Sequence, residues 1–270
     1  MRKEAFLGGE ELLGFKPTNP FLIEKDAYSD LIDWYQRTYT SVLDYGELLV
    51  ELVHDVRYDD AIWVLQQFGK VNEVLKLDGS EIFDNFIYPG NVYITGDVVT
   101  RNIIVGGLLY CNYSVNASGL LYAGNGIHCT GCVIVGDQLI SHNYIRVGSH
   151  LRVDSCIYAR SDVEVKGFLE CKSDIKVCGD LNCGESITAF ESIGVSGNII
   201  SNGYLYSGGY IFAVKDIKSN QYIFSADYIE SVESNISDNM NIVAGRDIQA
   251  KGDIMCGGKY SVFQNIFQSV

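Results

Sequence analysis

The chain has 270 residues and a formal net charge of −14, so it is long enough for one elongated domain with a smaller companion. This charge argues against a nucleic-acid partner, because phosphates would be repelled, and it favours a basic protein partner. No apolar run of about 18 residues could span a bilayer, and Met1–Lys16 has no apolar leader core. We therefore expect a cytoplasmic protein with no membrane contact.

The first 90 residues differ in kind from the rest. They carry 17 acidic and 8 basic side chains, both tryptophans and no short repeat. Apolar residues recur at helical spacing through Tyr28–Val53, which predicts helix there. We predict that residues 1–90 form a helical N-terminal domain that packs on the first coil of the following domain and caps it.

A second, shorter helix is predicted near the end of this region. Asp59 has the chemistry of an N-cap, apolar residues follow it, and Gly69 is placed to end the helix. The predicted helix is Asp60–Phe68.

From residue 103 onward, an aliphatic side chain occupies every sixth position through residue 229. So strict a period is neither helical nor that of a hairpin sheet, and it is typical of a chain wound into a β-solenoid. The positions are Ile103, Leu109, Val115, Leu121, Ile127, Val133, Leu139, Ile145, Leu151, Ile157, Val163, Leu169, Ile175, Leu181, Ile187, Ile193, Ile199, Leu205, Ile211, Ile217, Ile223 and Ile229, and, after one extra residue, Ile236, Ile242, Ile248 and Ile254.

Each six-residue unit is interpreted as a short strand followed by a corner. Two residues after the large aliphatic residue comes a small or medium one, such as Cys129 or Val153, and this spacing puts both on the inward face. Two residues before it, a glycine, aspartate, asparagine or serine tolerates the backbone of a corner. Three units per turn predict a mainly β fold, a three-sided parallel β-helix of about nine turns over residues 91–258.

The prolines and the breaks in the repeat fit this assignment. All three prolines lie within the first 89 residues, as expected if every later strand must donate its N–H groups. Asp97 interrupts the repeat, which upstream follows Val92, Val98 and Ile104, and a second break lies near Asn235. We expect a bulge or a longer corner at each break.

The last residues depart from the repeat. Residues 259–270 hold several apolar side chains outside the six-residue frame. We predict that this tail covers the last turn, since an uncovered coil end exposes unpaired strand edges.

The cysteines and histidines do not predict a metal site. Cys129 and Cys132 form the only CxxC pair, and one should face inward and the other outward, which makes shared zinc coordination awkward. Cysteine at the small inward position behaves as a small hydrophobe, as we also expect for Cys171 and Cys183. We expect no metal, no cofactor and a reducing compartment.

Some β-helix proteins are polysaccharide lyases or hydrolases, which need carboxylates close together. Outward residues one turn apart align in columns, and two such columns hold one acid each, Glu164 and Glu170, on adjacent faces. The sequence therefore predicts a protein without catalytic activity. A carbohydrate-active β-helix enzyme stays an alternative that a close carboxylate pair in a groove would support.

The phase of the repeat separates two families of hexad coils. In left-handed acyltransferase coils, the small inward residue comes two before the aliphatic one, whereas here it comes two after. Strings such as Gly179-Asp-Leu-Asn-Cys183 and Gly252-Asp-Ile-Met-Cys256 resemble the G-D-I-x-A units of bactofilins. Over residues 92–256 this resemblance implies a right-handed, three-sided β-helix and, in that family, end-to-end polymers. This chain has a longer coil and a helical N-terminal domain, so the resemblance bears on the fold more than on polymerisation.

One outward feature is concentrated late in the coil. Aromatic residues flank the inward positions there, and one turn apart they should stack. Two interpretations stay open: a structural feature, either a stacked ladder or a surface covered by the C-terminal tail, and a protein-binding patch. The residues are Tyr204, Tyr206, Tyr210, Phe212, Tyr222, Phe224 and Tyr228.

These features favour a non-catalytic protein-binding solenoid. The most concrete version is an immunity protein that neutralises a basic toxin, because complementary charge speeds encounter. A self-assembling structural scaffold, and hence a homo-oligomer, is the alternative from a different class.

Overall fold

A computed structural model describes residues 3–6, 29–38, 43–68 and 74–262 of the chain. A short strand β1 (Lys3–Phe6) is followed by three helices, α1 (Ser29–Thr38), α2 (Tyr45–His54) and α3 (Tyr58–Phe68). The remaining strands wind into a parallel β-solenoid of about ten turns. The predicted fold class is confirmed.

The strands stack on three faces, which the chain visits in the order C, A, B. Each strand pairs in parallel with its equivalent in the next turn. Face A consists of β3 (Glu81–Tyr88), β6 (Asn102–Val105), β9 (Leu121–Ala123), β12 (Leu139–Ser141), β15 (Ile157–Ala159), β18 (Ile175–Val177), β21 (Ile193–Val195), β24 (Ile211–Ala213), β27 (Tyr228–Ser231) and β30 (Asp247–Ala250). Face B consists of β2 (Val74–Leu77), β4 (Asn91–Ile94), β7 (Leu109–Cys111), β10 (Ile127–Cys129), β13 (Ile145–Val147), β16 (Val163–Val165), β19 (Leu181–Cys183), β22 (Ile199–Ser201), β25 (Ile217–Ser219), β28 (Ile236–Asp238) and β31 (Ile254–Cys256). Face C consists of β5 (Val98–Thr100), β8 (Val115–Ala117), β11 (Val133–Val135), β14 (Leu151–Val153), β17 (Leu169–Cys171), β20 (Ile187–Ala189), β23 (Leu205–Ser207), β26 (Tyr222–Ser225), β29 (Asn241–Ala244) and β32 (Tyr260–Val262).

The coil begins one turn before the hexad becomes visible. Strand β2 pairs with β4, and β3 pairs with both β5 and β6. Because β3 runs from face C to face A as one long strand, it lacks the corner residues by which the repeat is recognised. At the other end, β32 pairs with β29 and extends face C, while residues 263–270 of the predicted tail lie outside the described residues.

The interior is built from two inward side chains per strand. The large aliphatic residues, such as Ile127 and Leu181, are fully buried. Many of the small positions hold a hydroxyl or thiol next to corner carbonyl groups. Ser207 Oγ lies 2.6 Å from the carbonyl oxygen of Glu191, and Cys183 Sγ lies 2.9 Å from that of Gly167. These side chains give the corner carbonyl groups a buried donor in addition to their backbone partners, such as the N–H of Gly209 for Glu191.

One edge of the rod carries a ladder of aspartate and asparagine side chains. Asp162 Oδ1 accepts from the backbone N–H of Asp180 at 2.9 Å, and Asp180 Oδ1 accepts from that of Asn198 at 2.7 Å. In the same way, the side-chain oxygen of Asn198 accepts from the N–H of Asp216, and that of Asp216 accepts from the N–H of Asn235. Each side chain thus forms a hydrogen bond from its own corner to the next turn, which explains why corner positions favour these residue types.

The two breaks in the repeat have opposite geometry. The corner after β5, at residues 101–102, is shorter than usual because only two residues separate Thr100 from Ile103, so the expected bulge or longer corner is wrong at this break. Ile103 therefore points inward, and the prediction that Ile104 continues the upstream inward frame is wrong. At residues 232–235 the corner has one extra residue, so the expected longer corner is confirmed there.

The helices pack against the side of the first turns. Ile87, Ile104 and Tyr122, which point outward from face A, are buried in one apolar cluster with helix residues such as Leu48, and Ile140 packs at its edge. The helical segment was expected on the first coil, and the structure places it along face A. Strand β1 pairs with β3 at the start of this face.

Helix boundaries follow local side-chain chemistry. Helix α2 begins after Asp44, whose carboxylate accepts from the N–H of Glu47 at 2.8 Å while Glu47 accepts in return, a reciprocal capping box. Helix α3 begins at Tyr58, so the prediction that Asp59 is its N-cap is wrong. Arg57 precedes this helix, and its carbonyl accepts from the N–H of Ala61 at 3.0 Å.

Candidate functional site

The late aromatic residues form a continuous feature, called here the aromatic patch. Their rings stack between neighbouring turns with nearly parallel planes, so the pairing predicted from the turn length is confirmed. The stacked pairs are Tyr204 with Tyr222 (ring centroids 5.1 Å apart, planes at 7°), Tyr206 with Phe224 (5.2 Å, 5°) and Tyr210 with Tyr228 (5.1 Å, 7°).

The patch wraps the corner between face C and face A. Tyr206 and Phe224 stand at the centres of β23 and β26 on face C, where they are direct neighbours in the parallel register. Tyr210 lies at the corner before β24, and Phe212 stands at the centre of β24 on face A. In-register strands are about 4.8 Å apart, so identical positions stack ring on ring.

The patch is half-buried, with an exposed rim. Tyr222 is 38% exposed where the chain enters face C, and Phe190, at the corner between face C and face A one turn before Gly208, is 58% exposed. Phe190 was not predicted as an exposed aromatic residue. The two turns approach closely there, since a Cβ on Gly208 would lie 2.1 Å from the carbonyl oxygen of Phe190.

Acidic side chains surround the Tyr210–Tyr228 end of the patch. Burial raises the pKa of Tyr228, and the neighbouring Tyr210, Glu230 and Asp227 raise it further. Burial likewise raises the pKa of Tyr222. Both phenols therefore stay neutral hydrogen-bonding groups at physiological pH.

A cleft of about 290 Å³ opens beside Tyr228. Glu230, Asp247 and Arg246 line it, and Arg246 Nε lies 3.3 Å from Asp227 Oδ1 on the outer side. An aromatic wall with two carboxylates is suited to a basic side chain, which could make both ion pairs and a cation–π contact.

The two predicted outward columns are in register as expected. On face B, Arg146 Nε lies 3.7 Å from Glu164 Oε2, and on face C, Arg152 Nη2 lies 3.5 Å from Glu170 Oε1. Each carboxylate that was considered for catalysis is thus paired with an arginine of the preceding turn in its own column.

A second aromatic ladder lies on face B in the early turns. Tyr93 stacks on Tyr110 with centroids 4.7 Å apart, and Tyr110 stacks on His128 at 4.8 Å. This ladder was not predicted, because the short corner at residues 101–102 makes the spacing from Tyr93 to Tyr110 one residue less than a regular turn.

The cysteines act as interior hydrogen-bond donors. Cys129 Sγ and Cys171 Sγ contact corner carbonyl oxygens, and burial raises the pKa of Cys171 to about 12 and that of Cys183 to about 11. Their thiols are therefore protonated and unreactive at neutral pH. Among the described residues, no group of three or more potential ligands could hold a metal ion.

The helical segment adds a second acidic surface. Its described residues, 29–38 and 43–68, carry eight acidic and two basic side chains. Arg57 lies between Asp30 and Asp60, at 3.0 Å and 2.5 Å, and its guanidinium stands 5.3 Å from the ring centroid of Trp34. A cleft of about 680 Å³ adjoins this cluster.

Comparisons with protein-family models, with curated proteins and with solved structures find no match for the chain. Within the part of the chain that the structure describes, no helix combines the length and apolar character needed to span a bilayer.

Proposed function

We propose that the chain is a non-catalytic protein-binding solenoid whose recognition surface is the aromatic patch. The observation that carries this proposal is the set of three stacked ring pairs, which present aromatic area at the surface of a rigid coil. Clustered, partly exposed aromatic side chains are typical of binding hot spots.

The stacking also favours binding on entropic grounds. Each ring is held between strands that pair in register, so little side-chain freedom remains to be lost when a partner docks. A flexible aromatic cluster of the same area would bind less tightly for this reason.

The charges around the patch favour a basic partner. The cleft beside Tyr228 offers Glu230 and Asp247, and the whole chain carries a net charge of −14. Opposite charge would steer such a partner to this acidic protein and raise the association rate.

The most concrete version is an immunity protein that neutralises a basic toxin in the cytoplasm. Co-expression with the protein encoded next to its own gene tests this version. We expect the neighbour alone to arrest growth and the wild-type chain to restore it.

The decisive variant in that experiment is Tyr206→Ser with Phe224→Ser. Its matched control is Arg152→Ser with Glu170→Ser, which changes the same outward column of face C at earlier turns. We expect the first variant to lose the rescue and the control to keep it. A neighbour that is harmless, or a rescue that both variants retain, would contradict the proposal.

A self-assembling scaffold of the bactofilin type is the second candidate, and the last turn favours it. Ile248 and Ile254, inward residues of β30 and β31, are only partly buried, while the corresponding Ile229 and Ile236 one turn earlier are fully buried. Another copy could therefore stack on this end. Electron microscopy of the pure protein separates the candidates, since filaments would favour the scaffold.

A further inference from the structure

An aspartate occupies an interior position near the end of the coil. Asp238 takes the small inward place in β28, in register with Ser219 on the preceding turn and Cys256 on the following one. It is 6% exposed, whereas the other aspartates of the coil point to corners or to solvent.

The chemistry of this position calls for a hydrogen-bond donor. Ser219 Oγ lies 2.8 Å from the carbonyl oxygen of Gly203 and 3.2 Å from that of Tyr222. Ser201, Ser207 and Ser225 make the same two contacts in their own turns. A carboxylate cannot donate a hydrogen bond and would present negative charge to these oxygens, whereas a carboxylic acid can take the place of the serine hydroxyl.

The contacts of Asp238 fit a neutral acid with one accepting and one donating oxygen. Oδ2 accepts from the backbone N–H of Met240 at 2.9 Å. Oδ1 is buried and has no hydrogen-bond partner among the described residues. By the register of the turn, the carbonyl groups of Gln221 and Asn241 are the equivalents of those that Ser219 contacts, so they are the expected acceptors for an O–H on Oδ1.

The inward side chains around Asp238 carry no charge, but several hydrogen-bond donors approach its carboxyl group. Burial raises the pKa of Asp238, and this outweighs the backbone N–H groups of Met240, Asn239 and Asn241 and the Ser219 hydroxyl, which lower it. Cys256 is the titratable neighbour within the column. The inward residues of the strands packed around it carry no titratable group: Ile223 and Ser225 of β26, Ile229 and Ser231 of β27, Ile242 and Ala244 of β29, and Ile248 and Ala250 of β30.

We propose that Asp238 is held as a neutral carboxylic acid inside the coil and that its ionisation loosens the turns from β28 onward, which makes this end of the solenoid pH-sensitive. The segment begins directly after the four-residue corner at 232–235, which has one residue more than a regular corner. It adjoins the aromatic patch, because β29 pairs with β26, the strand that carries Tyr222 and Phe224.

The sign of the effect follows from the raised pKa. The stabilisation by a neutral Asp238 is complete below the pKa of an unfolded aspartate, about 4, and is lost as the pH rises through the higher pKa of the folded state. The last turns should therefore become less protected toward alkaline pH. This is opposite to the behaviour of a carboxylate that the fold stabilises in its charged form.

Two measurements on the full chain test the proposal. The first is a pH titration by NMR of ¹³C-labelled aspartate side chains, where we expect one carboxyl resonance to titrate at a higher pH than those of the exposed aspartates and to disappear in Asp238→Ser. The second is amide hydrogen exchange of residues 236–262 at about pH 5 and about pH 9. The exchange rate of the wild type divided by that of Asp238→Ser should rise by at least about tenfold from the lower to the higher pH. Because the two proteins are compared at the same pH, the intrinsic effect of pH on amide exchange cancels.

Asp253→Asn is the matched control, because this aspartate lies one turn further along but is exposed at a corner. It should leave both readouts as in the wild type. If Asp238→Ser does not fold, Asp238→Asn supplies the same neutral comparison. The proposal is overturned if the Asp238 carboxyl titrates with the exposed aspartates, or if the exchange ratio does not change with pH.

Discussion

Interior residues of this solenoid are selected for hydrogen bonding as well as for size. The small inward position lies beside corner carbonyl groups, so serine and cysteine supply a buried donor that alanine would remove. Ser219, which is 1% exposed, illustrates this requirement.

Ser219→Ala should lower the free energy of unfolding by about 1–3 kcal/mol, because the carbonyl groups of Gly203 and Tyr222 then lose their buried donor. Ser219→Cys keeps a weak hydrogen-bond donor, like the native cysteines elsewhere in the coil, and should lower the free energy of unfolding by less than Ser219→Ala. Urea unfolding followed by circular dichroism provides the comparison. Equal midpoints for the alanine variant and the wild type would refute the donor role.

A corner aspartate should show the pH dependence opposite to that of Asp238. Hydrogen bonds from the Ser234 hydroxyl and the Asn235 backbone lower the pKa of Asp216. Its contribution to stability is therefore present above the unfolded pKa of about 4 and is lost as the pH falls through the lower folded value. The stability difference between the wild type and Asp216→Asn should shrink between neutral pH and about pH 3. Asp137→Asn, at an exposed corner, serves as the control. The prediction is contradicted if the stability difference between the wild type and Asp216→Asn does not change with pH.

At the scale of the strand, stacked side chains couple neighbouring turns. Tyr206 and Phe224 are paired both through the backbone register and through their rings. A double-mutant cycle with serine at each position should give a coupling free energy of about 0.5–1.5 kcal/mol. Thermal or urea unfolding of the four proteins supplies the cycle. A coupling near zero would mean that the rings stack without stabilising the coil.

The strands were predictable from the sequence because one short unit determines each of them. The aliphatic residue, the small residue two places later and the corner aspartate or asparagine are all local signals. The irregular turns were not predictable, since the corner at residues 101–102 has one residue fewer than usual and β3 has no corner at all. Ile104 was misplaced for this reason, and the Tyr93–Tyr110 ladder was missed for the same reason.

At the scale of the whole molecule, the helices and the coil share one apolar cluster. The contact was hidden in the sequence because it depends on outward residues of different turns, Ile87, Ile104, Tyr122 and Ile140. Ile104, Tyr122 and Ile140 are one regular turn apart, whereas Ile87 joins their column only once the short corner is placed correctly. Further along the same column lie Tyr158 and Lys176, so the apolar stripe ends where the helices end.

Ile104→Asp should detach the helical segment from face A, since an unpaired charge would be buried between them. We expect faster hydrogen exchange in residues 43–68 and little change in the middle turns of the coil. Val99→Asp, at an exposed outward position of the same early turn, is the control. If α2 and α3 keep their protection, the helices fold independently of face A.

The recognition role of the aromatic patch is tested most directly by the affinity for the partner identified through growth rescue, measured by calorimetry. We predict that Tyr206→Ser with Phe224→Ser weakens binding by at least about 30-fold, as expected when hot-spot residues are lost. Arg152→Ser with Glu170→Ser, in the same column of face C, should bind like the wild type. Equal affinities for all three proteins would contradict the assignment of the patch as the binding surface.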